Sequence, residues 1–204
     1  MGPYAAVLAG WKRRNQAAFD AWQRLTFTGA AATVAGAWAF SEATVSPVMP
    51  DFLLVAVAAA NHRPWRVLRA AIAGMIGGGL LTVCSGYLFP HQSMAVLGSL
   101  PLVTGNEVGI AEHQLANHGP AAFLFQPFSG VSFKIWAIAS GQMRFSPLLV
   151  IPLFVVARSL RMIVLTLLAR GISHPLRRHL RDNALIVAVA YVEVFTLGLS
   201  RLTQ

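Results

Sequence analysis

Charged residues are scarce in this chain of 204 residues. They make up 11% of the sequence, whereas soluble domains carry about a quarter. Hydrophobic residues account for 56%, and the mean hydropathy is +0.60. This composition argues against an ordinary soluble domain. It predicts one compact domain, residues 1–204, with a lipid bilayer as its solvent.

Cysteine is almost absent. Cys84 is the only one, so the chain cannot form an internal disulfide. It lies in an apolar run rich in glycine, and we interpret it as a small packing residue.

Acidic residues are also few: seven Asp and Glu stand against sixteen Lys and Arg, a net charge of +9. Such a balance suits either nucleic acid or an anionic membrane surface. Here the basic residues cluster in short segments between apolar runs, and aromatic residues do not alternate with them. The pattern therefore favours membrane topology and contacts with lipid headgroups, and it predicts lipids rather than nucleic acid as partners.

The apolar runs divide the chain into segments. Residues 1–26 mix apolar and charged positions and predict an amphipathic helix. A mild loop without Lys or Arg, residues 91–119, lies near the middle of the chain. Three runs are long enough to span a bilayer as helices, namely 70–90, 145–169 and 184–202.

Two further apolar stretches are broken. Pro47 and Pro50 interrupt residues 27–60, and Pro127 with Gly130 interrupts residues 120–141, which end at Gly141. Proline removes a backbone donor, and exposed polar backbone is not tolerated inside lipid. Each break therefore predicts a polar cavity beside it.

Charge indicates how the broken stretches lie. If both enter the membrane and return on the same side, the N-terminal region and the basic loops 61–69 and 170–183 share one face, opposite the loop 91–119. Complete crossings would divide the basic loops between the two faces. We therefore predict an all-α integral membrane protein with two opposed re-entrant helical hairpins and three spanning helices in an inverted repeat. Its N-terminus would be cytoplasmic and its C-terminus extracytoplasmic.

Six ionisable residues lie within the apolar stretches: Glu42, Asp51, Lys134, Arg158, Arg161 and Glu193. Each would cost at least ~2.5–3.5 kcal/mol at the bilayer centre. Arg158 and Arg161 are three residues apart and share one helix face, where they repel unless an anion lies between them. Glu42, Asp51 or a bound phosphate would meet that need.

Structural interpretations of these residues stay open. Glu42 and Asp51 also suit helix caps or permanent partners of the arginines, and Lys134 also suits a side chain that reaches the interface. Glu193 has no partner that spacing identifies, which favours a structural or peripheral role.

Signs of catalysis are missing from the sequence. Glu112, His113 and His118 match no metal-ligand spacing, and no nucleophile stands in a known acid–base pattern. We expect no metal, no cofactor and no enzymatic activity.

Three stretches, in order, resemble the DedA family, also called the VTT-domain or SNARE-associated Golgi protein family. Residues 39–89 are similar to its acid and Pro-x-x-Pro/Asp re-entrant motif, followed by a basic loop and a Gly-rich helix ending in Gly-Tyr. GVSFKIWAIASG (130–141) resembles its Pro-x-Pro-x-Lys segment, with Gly130 and Ser132 in place of the prolines. FVVARSLRMIVLTLLARG (154–171) resembles its Gly-Arg-x-x-Arg helix, with Ala157 in place of the glycine.

The resemblance implies two re-entrant loops that face each other across a polar cavity. It also implies movement of lipids: bacterial members are linked to recycling of the carrier undecaprenyl phosphate, with proton coupling proposed, and eukaryotic relatives scramble phospholipids. The family's acidic positions fall on Glu42 and Asp51, its arginines on Arg158 and Arg161, and its lysine on Lys134.

The expected function is translocation of a lipid phosphate across the bacterial cytoplasmic membrane. Arg158, Arg161 and Lys134 would bind the phosphate, while Glu42 and Asp51 would compete for the arginines and take up protons. Alternatives are a proton-coupled exporter of small cations or drugs, an enzyme acting on lipid phosphates, and a scaffold without transport. A homo-oligomer stays open as well.

Overall fold

The computed structural model describes residues 3–46, 51–60, 64–99, 103 and 105–182. Within these residues the chain forms helices and no strands, as the sequence predicts. Pro47, Pro50, Glu193 and the predicted helix 184–202 lie outside the described residues.

The α-helices are α1 (Pro3–Phe27), α2 (Gly29–Thr44), α3 (Asp51–Ala60), α4 (Trp65–Leu88), α5 (Pro90–Ser99), α6 (Gly105–His118), α7 (Phe133–Gln142) and α8 (Pro147–Asp182). Two short 3-10 helices, η1 (Gly119–Leu124) and η2 (Gln126–Phe128), precede α7.

Two helices are long and apolar enough to cross a membrane. They are α4, with 24 residues, and the 27-residue part of α8 from Pro147 to Ser173. At 1.5 Å per residue, 24 helical residues extend roughly 36 Å, more than the ~30 Å of a hydrocarbon core. They coincide with the predicted spans 70–90 and 145–169.

Helix α4 contacts both α2 and α7, and glycine brings the backbones close together. A Cβ atom on Gly74 would lie 2.0 Å from the carbonyl oxygen of Gly36 in α2. A Cβ atom on Gly141 in α7 would lie 2.3 Å from the carbonyl carbon of Gly86. Gly141, predicted at the re-entrant turn, is the last residue but one of α7. The absence of a side chain there allows close approach to α4.

The other half of the structure forms around α8. Helix α3 and the 3-10 helix η1 both pack against it. Buried aromatic rings join α7 to η1 and to α8. The ring centroids of Phe123 in η1 and Trp136 in α7 are 5.9 Å apart, and those of Phe133 in α7 and Phe154 in α8 are 5.0 Å apart. This packing fixes the first turn of α7, which carries part of the candidate site.

Three expectations differ from the structure. Much of the predicted loop 91–119 is helical, as α5 and α6. The basic segment 170–183 is not a loop either, since α8 continues to Asp182. Arginine has a good helix propensity, so a basic segment can extend a helix beyond its apolar part. Cys84 is exposed on α4 rather than packed.

Candidate functional site

The inner part of the candidate site is a buried ion pair between α2 and α8. Nη2 of Arg158 donates a hydrogen bond to Oε2 of Glu42, although the two residues are 116 positions apart in the sequence. Their side chains are only 10% and 6% exposed. Because an isolated charge is costly in a buried position, each group needs the other to remain ionised.

A second ion pair lies beside the first and is more exposed. Nη2 of Arg161 donates to Oδ2 of Asp51 over 2.5 Å, and Nη1 of the same guanidinium donates to the carbonyl oxygen of Pro127 over 3.1 Å. The Arg161 and Asp51 side chains are 28% and 16% exposed. Asp51 is the first residue of α3, where a carboxylate also suits the positive end of the helix dipole. Arg161 therefore joins α3 to the break before α7.

Lys134, in the first turn of α7, is the fifth charged residue of the candidate site. Its ammonium donates to the carbonyl oxygen of Ser46 over 2.8 Å, and the residue is 2% exposed. The alternative of an interfacial lysine is not supported, because the side chain is buried against the end of α2. Lys134 thus links the two broken stretches directly.

Two residues next to the charged side chains were not predicted from the sequence. The ring of Phe133 lies under Arg158, with 5.0 Å between its centroid and Cζ. Such a cation–π contact is worth about 0.5–2 kcal/mol, depending on desolvation. Gln126 is buried, and its amide donates to the carbonyl oxygen of Val131 over 3.0 Å. Neither residue could be assigned to the site from the sequence, because a phenylalanine or a glutamine in an apolar stretch is usually an ordinary packing residue.

A small cavity separates these side chains. It is lined by Glu42, Asp51, Gln126, Arg158 and Arg161, among others, and its volume is about 10 Å³. That is room for about one water molecule. The ion pairs therefore fill the site, and any larger ligand would have to take the place of a carboxylate.

The site brings together five of the six ionisable residues predicted within apolar stretches. Two are acidic and three are basic, and Glu107 also acts electrostatically on Lys134. Each arginine contacts one carboxylate, and the fork geometry of arginine also suits an anion with several acceptor oxygens. An external anion would therefore compete with the two carboxylates for the arginines.

The break before α7 contains Pro127 and Gly130 as predicted. Pro127 lies in η2, and Gly130 has φ of +74° in the short segment before α7. A left-handed conformation favours glycine because a Cβ atom would crowd the following carbonyl oxygen. Gly130 is therefore the residue that permits this bend.

Replacing Gly130 by Ala is expected to lower the free energy of unfolding by about 1 kcal/mol, because alanine is strained at this φ. Gly98→Ala is the matched control, since Gly98 lies in α5 with no atom within 4 Å of an added Cβ. The control should gain up to about 1 kcal/mol from helix propensity. Thermal unfolding in detergent measures both, and equal shifts would contradict the assigned role of Gly130.

Searches with family models, curated proteins and solved structures return no match to this chain. The resemblance to the DedA family therefore rests on the sequence motifs. Among the described residues, no group of three or more His, Cys, Asp and Glu side chains could hold a metal ion.

Proposed function

We propose that the chain is a membrane protein of the DedA type that moves a phosphate-bearing lipid across the bacterial cytoplasmic membrane. The observation that carries the proposal is the position of the paired arginines. Arg158 lies eleven residues after Pro147 and fifteen before Ser173, close to the middle of the apolar stretch of α8. Ionisable residues at such depth are costly, and they mark substrate and ion pathways.

The short helices support two re-entrant hairpins. Helices α3 and α7 have ten residues each, so each extends roughly 15 Å. This is about half of a hydrocarbon core of ~30 Å. Each short helix forms the second part of one of the broken stretches, as expected for a segment that enters the membrane and returns.

Reciprocal packing supports an inverted repeat. If α2, α3 and α4 form one unit, then η1, α7 and α8 form the other. Helix α3 packs on α8 while α7 packs on α4, and α2 packs on α4 while η1 packs on α8. A two-fold relation between the units would produce this exchange, and transporters built in this way bind substrate where the broken helices meet.

The phosphate would bind by replacing the carboxylates. Its oxygens accept hydrogen bonds from Arg158 and Arg161, with Lys134 as a third donor that leaves the carbonyl of Ser46. This step displaces Glu42 and Asp51 from the arginines, and we assign both carboxylates to coupling substrate entry to proton uptake.

A vesicle assay tests the proposal. Purified protein is reconstituted with phosphatidic acid or a polyprenyl phosphate, and an external phosphatase reports the fraction of lipid that reaches the outer leaflet. The wild type should make the inner pool accessible, and Arg161→Gln should slow this at least tenfold. Arg170→Gln, on the same helix outside the site, is the control and should match the wild type. Unchanged transfer in a folded Arg161→Gln protein would overturn the proposal.

The alternative of a small-cation exporter fits the site less well. Both carboxylates that would bind a cation are occupied by arginines. Uptake of a fluorescent cation by the same vesicles, with no lipid transfer, would favour that alternative. Release of phosphate from the lipid by the protein itself would instead favour an enzyme.

A further inference from the structure

A larger groove opens next to the charged site. It lies between the end of α2, the last two turns of α4, helix α5 and the middle of α7, and its volume is about 380 Å³. Val45, Leu81, Phe89 and Val96 line it, and each of these side chains is more than half exposed. The described part of the chain thus leaves this concave apolar surface uncovered.

Four of the five polar side chains that line the groove are hydroxyls that donate to backbone carbonyl oxygens. The Thr82 hydroxyl donates to the carbonyl oxygen of Ala43 over 2.7 Å, and the Ser85 hydroxyl donates to that of Leu81 over 2.8 Å. The fifth, Gln92, is exposed. Because the hydroxyl donors are already used, the groove offers mainly apolar contact, which favours a hydrocarbon over a headgroup.

Two residues that line the groove, Val45 and Ile138, are close in the chain to the bonded pair Ser46 and Lys134. Val45 directly precedes Ser46, whose carbonyl oxygen accepts the bond from Lys134. Ile138, which lines the groove, follows Lys134 by four residues and therefore shares its face of α7. A molecule with an anionic end at Lys134 and the arginines would place an attached chain toward this groove.

We propose that the groove binds the hydrocarbon chain of the phosphate-bearing lipid while its headgroup occupies the charged site. This inference rests on the proposed function and adds a second, apolar half to the substrate site. With a volume of 380 Å³ and about 30 Å³ for a group the size of water, the groove accommodates about a dozen methylene-sized groups. One acyl chain, or the first few units of a prenyl chain, would fill it.

Photo-crosslinking tests this inference. The probe is phosphatidic acid with a diazirine in the middle of one acyl chain, present in vesicles with the purified protein. We expect adducts concentrated in residues 81–97, reduced at least fivefold by the combined variant Leu81→Trp and Val96→Trp. The control variant, Leu160→Trp with Val164→Trp, changes exposed residues of α8 and should leave the labelling unchanged.

Several outcomes would overturn the inference. Adducts spread evenly over the exposed faces of α4 and α8 would indicate surrounding lipid only. A groove that stays unlabelled, as it would if a second copy or another segment of the chain filled it, would also contradict the proposal. Equal labelling by a diacylglycerol with the same diazirine chain would show that the phosphate does not direct the chain there.

The outcomes separate this inference from the proposed function. Phosphate-dependent labelling of the groove without lipid transfer would leave the chain site standing and overturn the translocase. Lipid transfer that is sensitive to Arg161→Gln but leaves the groove unlabelled would support the translocase and overturn the chain site.

Discussion

Glu42→Gln is expected to destabilise the folded protein by about 3–5 kcal/mol, because it leaves the buried Arg158 guanidinium without its counter-charge. The same substitution should slow lipid-phosphate transfer at least tenfold, since one of the two carboxylates assigned to proton coupling is gone. Urea or thermal unfolding in detergent measures the first effect, and the phosphatase assay in vesicles measures the second.

The double variant Glu42→Gln with Arg158→Gln is expected to be more stable than the sum of the two single variants predicts. Removing both charges leaves two amides that can hydrogen-bond to each other, whereas either single variant leaves one unpaired ion. The coupling free energy should reach at least about 1 kcal/mol, within the range for contacting residues. Additive losses would contradict the assignment of Glu42 to Arg158.

Asp51→Asn provides the matched comparison at the outer pair. Arg161 is 28% exposed and keeps its bond to the carbonyl oxygen of Pro127. Its charge can therefore reach water, and the loss should be nearer to the ~1 kcal/mol of exposed ion pairs. Equal losses of unfolding free energy for Glu42→Gln and Asp51→Asn would show that burial does not determine the cost of removing the carboxylate.

The sequence predicted which residues form the site but not how they pair. Arg158 and Arg161 share a helix face by spacing alone, and two acids in another broken stretch are their natural partners. Which acid meets which arginine depends on how α2 and α3 approach α8, and that follows from packing between residues more than a hundred positions apart. Phe133 and Gln126 were missed for the same reason, because only the tertiary structure places them beside a charge.

The two helices that are long and apolar enough to cross a membrane were predictable, because that property depends only on length and hydropathy. Helices α5 and α6 were not, since their mild composition has no strong period or long apolar run. The close contact of Gly141 with Gly86 was not predictable either. A glycine near the end of a motif suits a turn and a close helix contact equally, and only the tertiary structure shows the contact.

Gly74→Ala is expected to lower the free energy of unfolding by about 3 kcal/mol, at the upper end of the usual cost of overpacking. Its Cβ would lie 2.0 Å from the carbonyl oxygen of Gly36, and because that atom belongs to the backbone, α2 must move away from α4. Gly77→Ala is the matched control on the same helix, since its Cβ would meet the Phe40 ring at an ordinary 3.5 Å. The control should gain up to about 1 kcal/mol from helix propensity.

The same displacement should reach the candidate site, because Glu42 lies on α2 less than two turns beyond Gly36 and its partner Arg158 lies on a different helix. A shift of α2 relative to α4 lengthens the Glu42–Arg158 bond without changing either side chain. We therefore expect Gly74→Ala to slow lipid-phosphate transfer at temperatures where the protein is still folded, whereas Gly77→Ala should match the wild type. If both variants unfold at the wild-type temperature, the close contact between Gly36 and Gly74 does not hold α2 in place. Loss of stability with normal transfer would instead show that the Glu42–Arg158 ion pair is kept when α2 moves away from α4.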